Sequence, residues 1–338
     1  MKRFPFYPLA ACFAMMALSP SCGQAGSHGW MLQPAGSEWQ VKGDVQKGRD
    51  ISAAALFNGR DGVLASDEVR GVQTIHVDRE RQKIQVGALV PLVPDDGSEI
   101  DIEGMAADAA SRRLYITGSH ALTRHKEVVE ADRSWVFRIS YNPENGFPDE
   151  KSVQKASLIP VLRADPVLSP FVGKPAAENG LDIEALGFRD GKLYFGLRAP
   201  NLAGNAHIVI VDADALFSQP KPAAEVVQVP VGVGRGLRDM AAVKGGFLLL
   251  NGPSGGDETG ASFSEKVEAK VFSVDFWSGV KGGGLTRVGI VKSPPAKCEG
   301  LLVLGENDTS IDLLILHDSA KDGAPIPWRA MKPPPATK

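Results

Sequence analysis

Apolar and polar residues alternate along short stretches of this chain, and turns rich in Gly, Asp and Asn separate the stretches. A period of two residues is typical of half-buried β-strands, whereas an amphipathic helix repeats about every 3.6 residues. No long stretch of the sequence shows the helical period. The pattern therefore predicts an all-β protein, and its clearest strands are "RRLYITGSH" (112–120), "GKLYFGLRA" (191–199), "GGFLLLNGP" (245–253) and "IDLLILHDS" (311–319).

The predicted strands recur in a fixed order. Each copy has a short apolar first strand, a turn and a second apolar strand, and third and fourth strands follow, such as "SWVFRISYN" (134–142) and "KASLIPVL" (155–162). The first strands are "DISAAALFNG" (50–59), "DIEGMAAD" (101–108), "DIEALGFRDG" (182–191), "GLRDMAAVKGG" (236–246) and "KCEGLLVLGEN" (297–307). Four antiparallel strands per copy, repeated radially, predict a β-propeller of four-stranded blades.

The number of copies predicts the number of blades, and the incomplete last copy predicts how the ring is closed. Five copies are recognisable, and six blades result if residues 143–180 hide a degenerate copy rather than a loop excursion over one face. The last copy supplies only three strands. The segment "SEWQVKGDVQKG" (37–48) resembles the missing outer strand, and a strand from the other terminus would cover otherwise bare sheet edges. We therefore predict a ring closed by this N-terminal strand.

The first residues have the features of an export leader. Lys2 and Arg3 form a positive start, and an apolar stretch too short to span a bilayer follows at 9–18. Two kinds of leader fit this segment. We prefer a lipoprotein-type leader in which Cys22 carries the lipid, and the alternative is an ordinary signal peptide that is cleaved after Ala25. The predicted organisation is a leader at 1–25, a linker at 26–36, one propeller domain at 37–330 and a proline-rich tail at 331–338. The protein is expected to be periplasmic or lipid-anchored in the bacterial cell envelope.

Charge and cysteine content narrow the expected partners. The formal net charge is -3 and the chain has no basic run, so nucleic acid and anionic membranes are not expected partners. A lipid on Cys22 would be the link to a membrane, and a monomer is expected. After removal of the leader only Cys298 remains, so no internal disulfide can form. Cys298 takes the place of Ile102 and Ile183 in the strand alternation, which predicts a buried thiol rather than a nucleophile.

Acidic residues at the starts of the first strands indicate where a site lies. The first strand of a propeller blade lines the central channel, and residues two apart, such as Asp101 and Glu103, share one face of a strand. We expect six acids at one mouth of the channel: Asp101, Glu103, Asp182, Glu184, Asp239 and Glu299, with the last two assigned to the Glu position of their copies. Second-strand ends lie beside first-strand starts and add His120, Arg198, His317 and Asp318, together with Asp67 and Glu68 of the first copy.

Converging carboxylates repel one another unless their charge is compensated. Arginines such as Arg124, Arg198 and Arg238 could neutralise them, some could hold protons, or a hard cation could bind to their oxygens. A different interpretation stays open for each acid, which could cap a strand end and accept hydrogen bonds from the backbone of the neighbouring blade.

Several motifs together resemble a known family. "DIEGMA", "GSHALTR", "LDIEALGF", "GLRAPNLAG", "GRGLRDMA" and "CEGLLVL" are similar to a family of exported bacterial propeller proteins of unknown function, over about residues 40–328. More distantly, the "EG" strand starts are similar to esterase-like phytase and gluconolactonase-type propellers, which hold calcium on channel acids. That distant resemblance implies Glu103, Glu184 and Glu299 as calcium ligands. Ser52 and Asp239 depart from the pattern of the family.

Two functional hypotheses from different classes follow. The first is a calcium-assisted hydrolase of a phosphate ester, lactone or other small ester, with the cation on Glu103, Glu184, Asp239 and Glu299. His120 or His317 would move protons and Arg198 would hold an anionic group, while further contacts to the ligand would come from Asp101, Asp182, Arg238, Asp67, Glu68 and Asp318. The rival is a non-catalytic envelope propeller that binds a glycan or a protein segment, with Trp135, Trp277 or Trp328 as contacts.

Overall fold

The repeated strands form five antiparallel sheets, which are the blades of a β-propeller. The computed structural model describes residues 29–94, 96–123, 127–142, 144–254, 271–292 and 294–334. Neighbouring first strands contact one another in a closed circuit, from the first blade to the fifth and back to the first. The predicted all-β class and the predicted five blades are both confirmed. The export leader with Cys22, and Arg124, lie outside the described residues.

Each blade is built from strands that follow one another in the chain, after two N-terminal strands, β1 (Met31–Pro34) and β2 (Gln40–Lys42). The first blade contains β3 (Ile51–Leu56), β4 (Asp61–Ser66), β5 (Gly71–Asp78) and β6 (Lys83–Pro91). The second contains β7 (Ile102–Asp108), β8 (Arg113–Gly118), β9 (Trp135–Ser140) and β10 (Gln154–Ser157). The third contains β11 (Asp182–Arg189), β12 (Lys192–Ala199), β13 (Ala206–Asp212) and β14 (Ala224–Val229). The fourth contains β15 (Arg235–Val243), β16 (Gly246–Pro253), β17 (Phe272–Trp277) and β18 (Leu285–Val291). The fifth contains β19 (Lys297–Glu306), β20 (Ser310–Asp318) and β21 (Ile326–Met331).

Helices in the described residues are short and lie in the connections between strands. The α-helices are α1 (Ile159–Ala164) and α2 (Ala213–Ser218), and single 3₁₀ turns occur at Ala131–Ser134, Glu150–Ser152, Ser169–Phe171, Ala176–Glu178 and Lys321–Gly323. None of the described helices is long and apolar enough to span a membrane.

An N-terminal strand closes the ring, but it is not the predicted segment. β1 pairs with β21 of the fifth blade, from Met31 opposite Met331 to Pro34 opposite Trp328. Residues 37–48 contain β2, which instead pairs in parallel with β6 at the outer edge of the first blade. Trp39 explains the difference, because its side chain is buried in the apolar core between the fifth and first blades. The predicted linker at 26–36 therefore includes the closing strand.

Residues 143–180 do not form a sixth blade. They contain β10, which completes the second blade, and then α1 and two 3₁₀ turns. Apolar side chains of this connection, Leu158, Val161, Leu162 and Leu168, are buried in the core between the second and third blades. The connection is thus packed against the ring by its own apolar residues, and it corresponds to the excursion that the sequence left as an alternative.

One apolar core lies between each pair of neighbouring blades, which gives five cores around the ring. Strand alternation divides each sheet between two of them: Leu193 and Phe195 face the second blade, and Tyr194 faces the fourth. Trp277 and Trp328 are buried in these cores, and Trp135 packs against a third core under the ammonium of Lys155. The tryptophans therefore serve packing between blades.

One rim of the ring, which we call the mouth, collects the starts of the first strands and the ends of the second strands. The antiparallel registers of β7 with β8 and of β19 with β20 show this, since Ile102 lies opposite Gly118 and Cys298 lies opposite His317. Gly236 shows how closely neighbouring blades approach at this rim. A Cβ atom there would lie 2.1 Å from the backbone oxygen of Arg198.

Candidate functional site

Every first strand carries a β-bulge at the same position. In the second blade Ile102 pairs with Gly118 and Gly104 pairs with Thr117, so that Glu103 is left without an opposite residue. Such a bulge bends the strand and turns the extra side chain in a new direction. The residues at this position are Ser52, Glu103, Glu184, Arg238 and Glu299, and we call them the bulge ring.

The bulge ring corrects the alignment of the fourth copy. Leu237 lies in register with Ile102, so Arg238 and not Asp239 takes the Glu position. Asp239 occupies the position of Gly104 and is buried. Its Oδ1 accepts a hydrogen bond from the backbone N–H of Met240 at 2.7 Å, and its Oδ2 accepts one from Leu301 at 2.6 Å. Asp239 therefore joins the fourth blade to the fifth through hydrogen bonds. This agrees with the alternative interpretation, in which an acid accepts hydrogen bonds from the backbone of the neighbouring blade.

A continuous chain of ion pairs crosses the third, fourth and fifth blades at the mouth. Arg198 contacts Asp182, and its Nη1 lies 2.5 Å from Oε1 of Glu184. Nη1 of Arg238 lies 2.6 Å from Oε2 of Glu184, and Nη2 of Arg238 contacts Glu299. All five side chains are largely buried, so each charge depends on its partners for stabilisation. Arg198 reaches the ring because a second register shift leaves it, too, without an opposite residue.

Asp101 is neutralised by an arginine that the sequence did not reveal. Arg133 contacts the carboxylate of Asp101, and its Nη1 lies 3.0 Å from Oε2 of Glu99. Arg133 belongs to the connection between β8 and β9 and has no equivalent in the other copies. A repeat alignment therefore held no signal for it, and only the packing of the connection shows its role.

Glu103 is the bulge-ring carboxyl that no cation neutralises. Its neighbours in the ring are Ser52 and Glu184, and Glu184 is engaged by two arginines. No hydrogen bond or ion pair joins Glu103 to any residue that the structure describes. Burial, followed by the charges of Asp101 and Glu184, raises the pKa of Glu103 well above its ordinary value. Because its side chain stays partly exposed, Glu103 is a carboxyl of raised pKa that a ligand can reach.

Asp67 is a second mouth carboxyl without a cation. Its Oδ1 is buried and has no partner among the described residues. Burial, followed by the charges of Asp101 and Asp50, raises the pKa of Asp67 to about 7. The other rim acids are engaged differently, since Glu68 pairs with Lys47 at 2.7 Å and Asp318 pairs with Lys297 at 3.1 Å.

The structure separates the two histidines that the sequence grouped at the mouth. His120 lies within electrostatic range of Asp182, and burial lowers its pKa to about 4, which keeps the ring neutral. His317 lies opposite Cys298 and shares its face of the sheet, away from the bulge ring. Its Nδ1 lies 3.0 Å from the backbone oxygen of Ala324, and this contact holds a loop of the fifth blade. Strand alternation decides the difference, because His317 follows the register of Cys298 and not that of Glu299.

Cys298 is fully buried in the core between the fourth and fifth blades. Burial raises the pKa of its thiol well above the ordinary value, which keeps it in the unreactive protonated form. The structure thus places it where a structural thiol was predicted.

As these side chains lie, most of the predicted calcium ligands are engaged by other groups. Both oxygens of Asp239 accept backbone hydrogen bonds, Glu184 and Glu299 contact arginines, and Glu103 alone is unengaged. In the part of the chain that the structure describes, no three His, Cys, Asp or Glu side chains are placed to hold a metal ion. Calcium binding stays a prediction, which melting the chelated protein with and without added calcium tests, and no step proposed below depends on it.

Among solved structures, the chain aligns with a GH43 endo-arabinanase from Bacillus licheniformis at 11% identity and a TM-score of 0.42, over 87% of this chain and 96% of that chain. It aligns with a GH43 β-1,3-galactosidase at 9% identity and a TM-score of 0.49, over 88% and 60% of the two chains. A virginiamycin B lyase from Staphylococcus aureus aligns at 10% identity and a TM-score of 0.38, over 90% and 75%. Since similarity this low carries no argument about activity, none is transferred. No curated protein matches the chain in sequence.

Comparison with protein families gives a direct match to most of the chain. Residues 50–138 and 149–325 match the family described as "Protein of unknown function (DUF3616)". The matched ranges run from the first strand of the first blade to the end of the loop before β21, and they include the whole bulge ring. The chain therefore belongs to the DUF3616 family of proteins of unknown function.

Proposed function

We propose that the protein is a hydrolase of a small carboxylic ester or lactone that binds at the mouth. The observation that carries this proposal is the state of Glu103, a reachable carboxyl with no partner among the described residues and a raised pKa. A carboxylic acid that keeps its proton near neutral pH can donate it to a departing alkoxide oxygen. Glu103 is accordingly the general acid of the proposed reaction.

Asp182 is the proposed general base. Its Oδ2 contacts Arg198, which fixes the orientation of the carboxyl group. Its Oδ1 is buried without a hydrogen-bond partner among the described residues and is free to accept a proton. His120 suits this role less well, because its lowered pKa makes it a weak base. The charge of Asp182 also acts on Glu103, and the proposal requires one small substrate to reach both carboxyls.

The proposed reaction is a single hydrolytic displacement. Asp182 removes a proton from water as the water oxygen bonds to the carbonyl carbon, and the carbon–oxygen bond to the alcohol breaks as Glu103 protonates the leaving oxygen. The products are a carboxylic acid and an alcohol, and the proton on Asp182 returns to Glu103 through solvent. Pairing an acid and a base of opposite protonation state is the usual way in which two carboxyls divide such work.

The pairing of the mouth arginines favours carbonyl esters over phosphate esters. Arg133, Arg198 and Arg238 each contact two carboxylates, so their positive charge is already neutralised. A phosphate group would meet carboxyls such as Glu103 and Asp67, which have no cation partner within the described ranges of the chain. Hydrolysis of a phosphate ester, which the sequence left open, is therefore not part of the proposal.

A panel of carboxylic esters and lactones, with phosphate esters for comparison, tests the proposal. Replacing a general acid costs about 10²- to 10⁴-fold in rate, so Glu103→Gln and Asp182→Asn are each expected to lower kcat by that range. The matched control is Glu225→Gln, which neutralises an exposed carboxylate paired with Lys281 on an outer strand and is expected to leave kcat unchanged. Turnover at the wild-type rate in Glu103→Gln would overturn the assignment of Glu103.

A second candidate function is supported by apolar side chains on the loops of the mouth. Val129 is 72% exposed and Val233 is 66% exposed, on loops of the second blade and between the third and fourth blades. Exposed apolar groups of this kind suit contact with a protein segment, as a non-catalytic envelope propeller would make. No turnover across the ester panel, with loss of partner binding in Val129→Asp, would favour this function over hydrolysis.

We also propose that the protein acts in the bacterial cell envelope. The proposal is supported by the positive start, the apolar stretch at 9–18 and Cys22 in the leader sequence. Fractionation of cells with and without Cys22→Ser tests it. A lipid anchor predicts release of the variant from the membrane fraction, whereas cleavage after Ala25 predicts a soluble periplasmic protein in both cases.

A further inference from the structure

The mouth is asymmetric in the way its charges are paired. Three of its arginines, Arg133, Arg198 and Arg238, are each shared between two carboxylates, and these pairs occupy the side formed by the third, fourth and fifth blades together with Asp101. On the side of the first and second blades, Glu103 and Asp67 have no cation partner among the described residues. A ligand that enters at this side therefore meets carboxyls that none of these three arginines pairs with.

Hydrogen-bond acceptors without partners lie next to these carboxyls. Oδ1 of Asp182 and Nε2 of His120 are buried and have no hydrogen-bond partner among the described residues, and the two residues are only 6% and 4% exposed. Nδ1 of His120 lies 2.9 Å from the backbone oxygen of Gly118, which assigns the ring proton to Nδ1 and a lone pair to Nε2. Buried polar atoms of this kind are normally satisfied, so these two atoms are available to a ligand or to water.

The unpaired acids and the free acceptors belong to one cluster. Asp67 and Asp182 both lie within electrostatic range of Glu103, and His120 lies within range of Asp182. Nε atoms of Arg133, Arg198 and Arg238 also lack hydrogen-bond partners, but the charge of each guanidinium is already neutralised. The cluster consequently offers hydrogen-bond acceptors and carboxyls from three blades, and Asp67 and Glu103 have no cation partner in the described part of the chain.

The geometry points to a ligand that carries a protonated amine, held between Asp67, Glu103 and Asp182; as a substrate class this rests on the proposed hydrolase function. An ammonium group supplies three N–H donors and one positive charge, and charge-assisted hydrogen bonds to carboxylates are the strong ones. A neutral hydroxyl group would satisfy some acceptors but would leave the carboxyls uncompensated. An anion would add to their repulsion.

Binding of an amine has a consequence for the proposed chemistry. A positive charge next to Glu103 favours its ionised form and brings its pKa down toward the working pH. A general acid is most effective when its pKa lies near that pH. An amine-bearing ester would therefore turn Glu103 from a tightly protonated carboxyl into an efficient proton donor.

Three hexoses that differ in charge test the inference. Glucosamine, glucose and glucuronate share a ring and carry an amine, no charge and a carboxylate, and each is titrated into the full chain by calorimetry at about pH 7, close to the raised pKa of Asp67. We expect glucosamine to bind at least about tenfold more tightly than glucose, equivalent to about 1.4 kcal/mol. Glucuronate is expected not to bind, and added salt is expected to weaken the glucosamine complex.

Variants connect the binding to the cluster. Asp67→Asn and Glu103→Gln are each expected to weaken glucosamine binding about tenfold, the equivalent of one charged contact. The matched control is Asp308→Asn, which removes an exposed carboxylate paired with Lys244 far from the cluster and is expected to change nothing. Melting curves of all variants show whether each one is folded under the conditions of the titration.

The outcomes separate this inference from the proposed function. Equal affinity for glucosamine and glucose, preference for glucuronate, or no glucosamine binding at its highest soluble concentration would overturn the amine inference. Ester turnover that depends on Glu103, without amine binding, would leave the hydrolase standing and remove the amine class. Amine binding that depends on Asp67, without turnover of any ester, would support the amine ligand and overturn the hydrolase function.

Discussion

Nη1 of Arg238 on the fourth blade lies 2.6 Å from Oε2 of Glu184 on the third blade. Both residues are bulge residues of first strands, so the contact joins equivalent positions of neighbouring blades. The same guanidinium also contacts Glu299 on the fifth blade. One arginine in the bulge ring thus neutralises the two glutamates beside it, whereas the third glutamate, Glu103, has no cation partner among the residues that the structure describes.

Replacing Arg238 is expected to destabilise the whole ring. In Arg238→Met, Glu184 keeps Arg198 but Glu299 loses its contact with Arg238, and removing one partner of a buried ion pair costs roughly 3–5 kcal/mol. Thermal unfolding would show a lower melting temperature. Arg329→Met is the control, since Arg329 is half exposed and its pair with Asp312 contributes little. Equal melting temperatures for the two variants would contradict a structural role for the Arg238 pairs.

Asp67→Asn is expected to stabilise the protein at high pH and not at low pH. The pKa of Asp67 rises from 3.8 to about 7 on folding. Below 3.8 the carboxyl is protonated in both states, but as pH rises the unfolded state ionises first, and stability is lost up to about pH 7. The asparagine does not titrate and avoids that loss.

Melting temperatures of Asp67→Asn and the wild type, measured from about pH 4 to pH 8, check this prediction. The difference between them should grow across that range and level off above the raised pKa. Asp308→Asn is the control, because its carboxylate is 93% exposed. A constant difference at all pH values would mean that the effect of Asp67→Asn is unrelated to titration.

The closing strand β1 is expected to be needed for stability. Leu32 packs into the core between the fourth and fifth blades, and its Cβ approaches the backbone of Gly289. Leu32→Asp would place a charge in that core and is expected to lower the melting temperature. Met31→Asp, at a position of the same strand that is 54% exposed, is the matched control. Equal melting temperatures for the two variants would show that the pairing of β1 contributes little to the stability of the protein.

Cys298 is expected to resist thiol reagents in the folded protein. Its side chain is fully buried and its pKa is raised, so little thiolate is present or accessible. In a chain with Cys12→Ser and Cys22→Ser, labelling by an aromatic disulfide reagent should be slow and should become rapid in denaturant. Fast labelling of the native protein would show that the core between the fourth and fifth blades opens readily.

The sequence by itself determined the repeat, the strand class and the position of the acids. Alternation at period two in segments such as 191–199 and 311–319 depends on local chemistry, because each blade must bury both faces against its neighbours. The recurrence of Asp-x-Glu at 101–103 and 182–184 marked the mouth, because the same position of each first strand lies at the same rim of the ring. A local pattern that repeats in every blade is visible without knowledge of the contacts between blades.

Tertiary structure decided which charges are paired. The bulge in each first strand moved the Glu position of the fourth copy from Asp239 to Arg238, a shift of one residue that the spacing of acids could not reveal. Arg133 reached Asp101 from the connection between β8 and β9, outside the repeated strands. Closure by β1 rather than residues 37–48 depended on the burial of Trp39 between the first and last blades. Each of these outcomes depends on contacts between residues that are distant in the chain, and the energy of a buried charge is set by such contacts rather than by its neighbours in sequence.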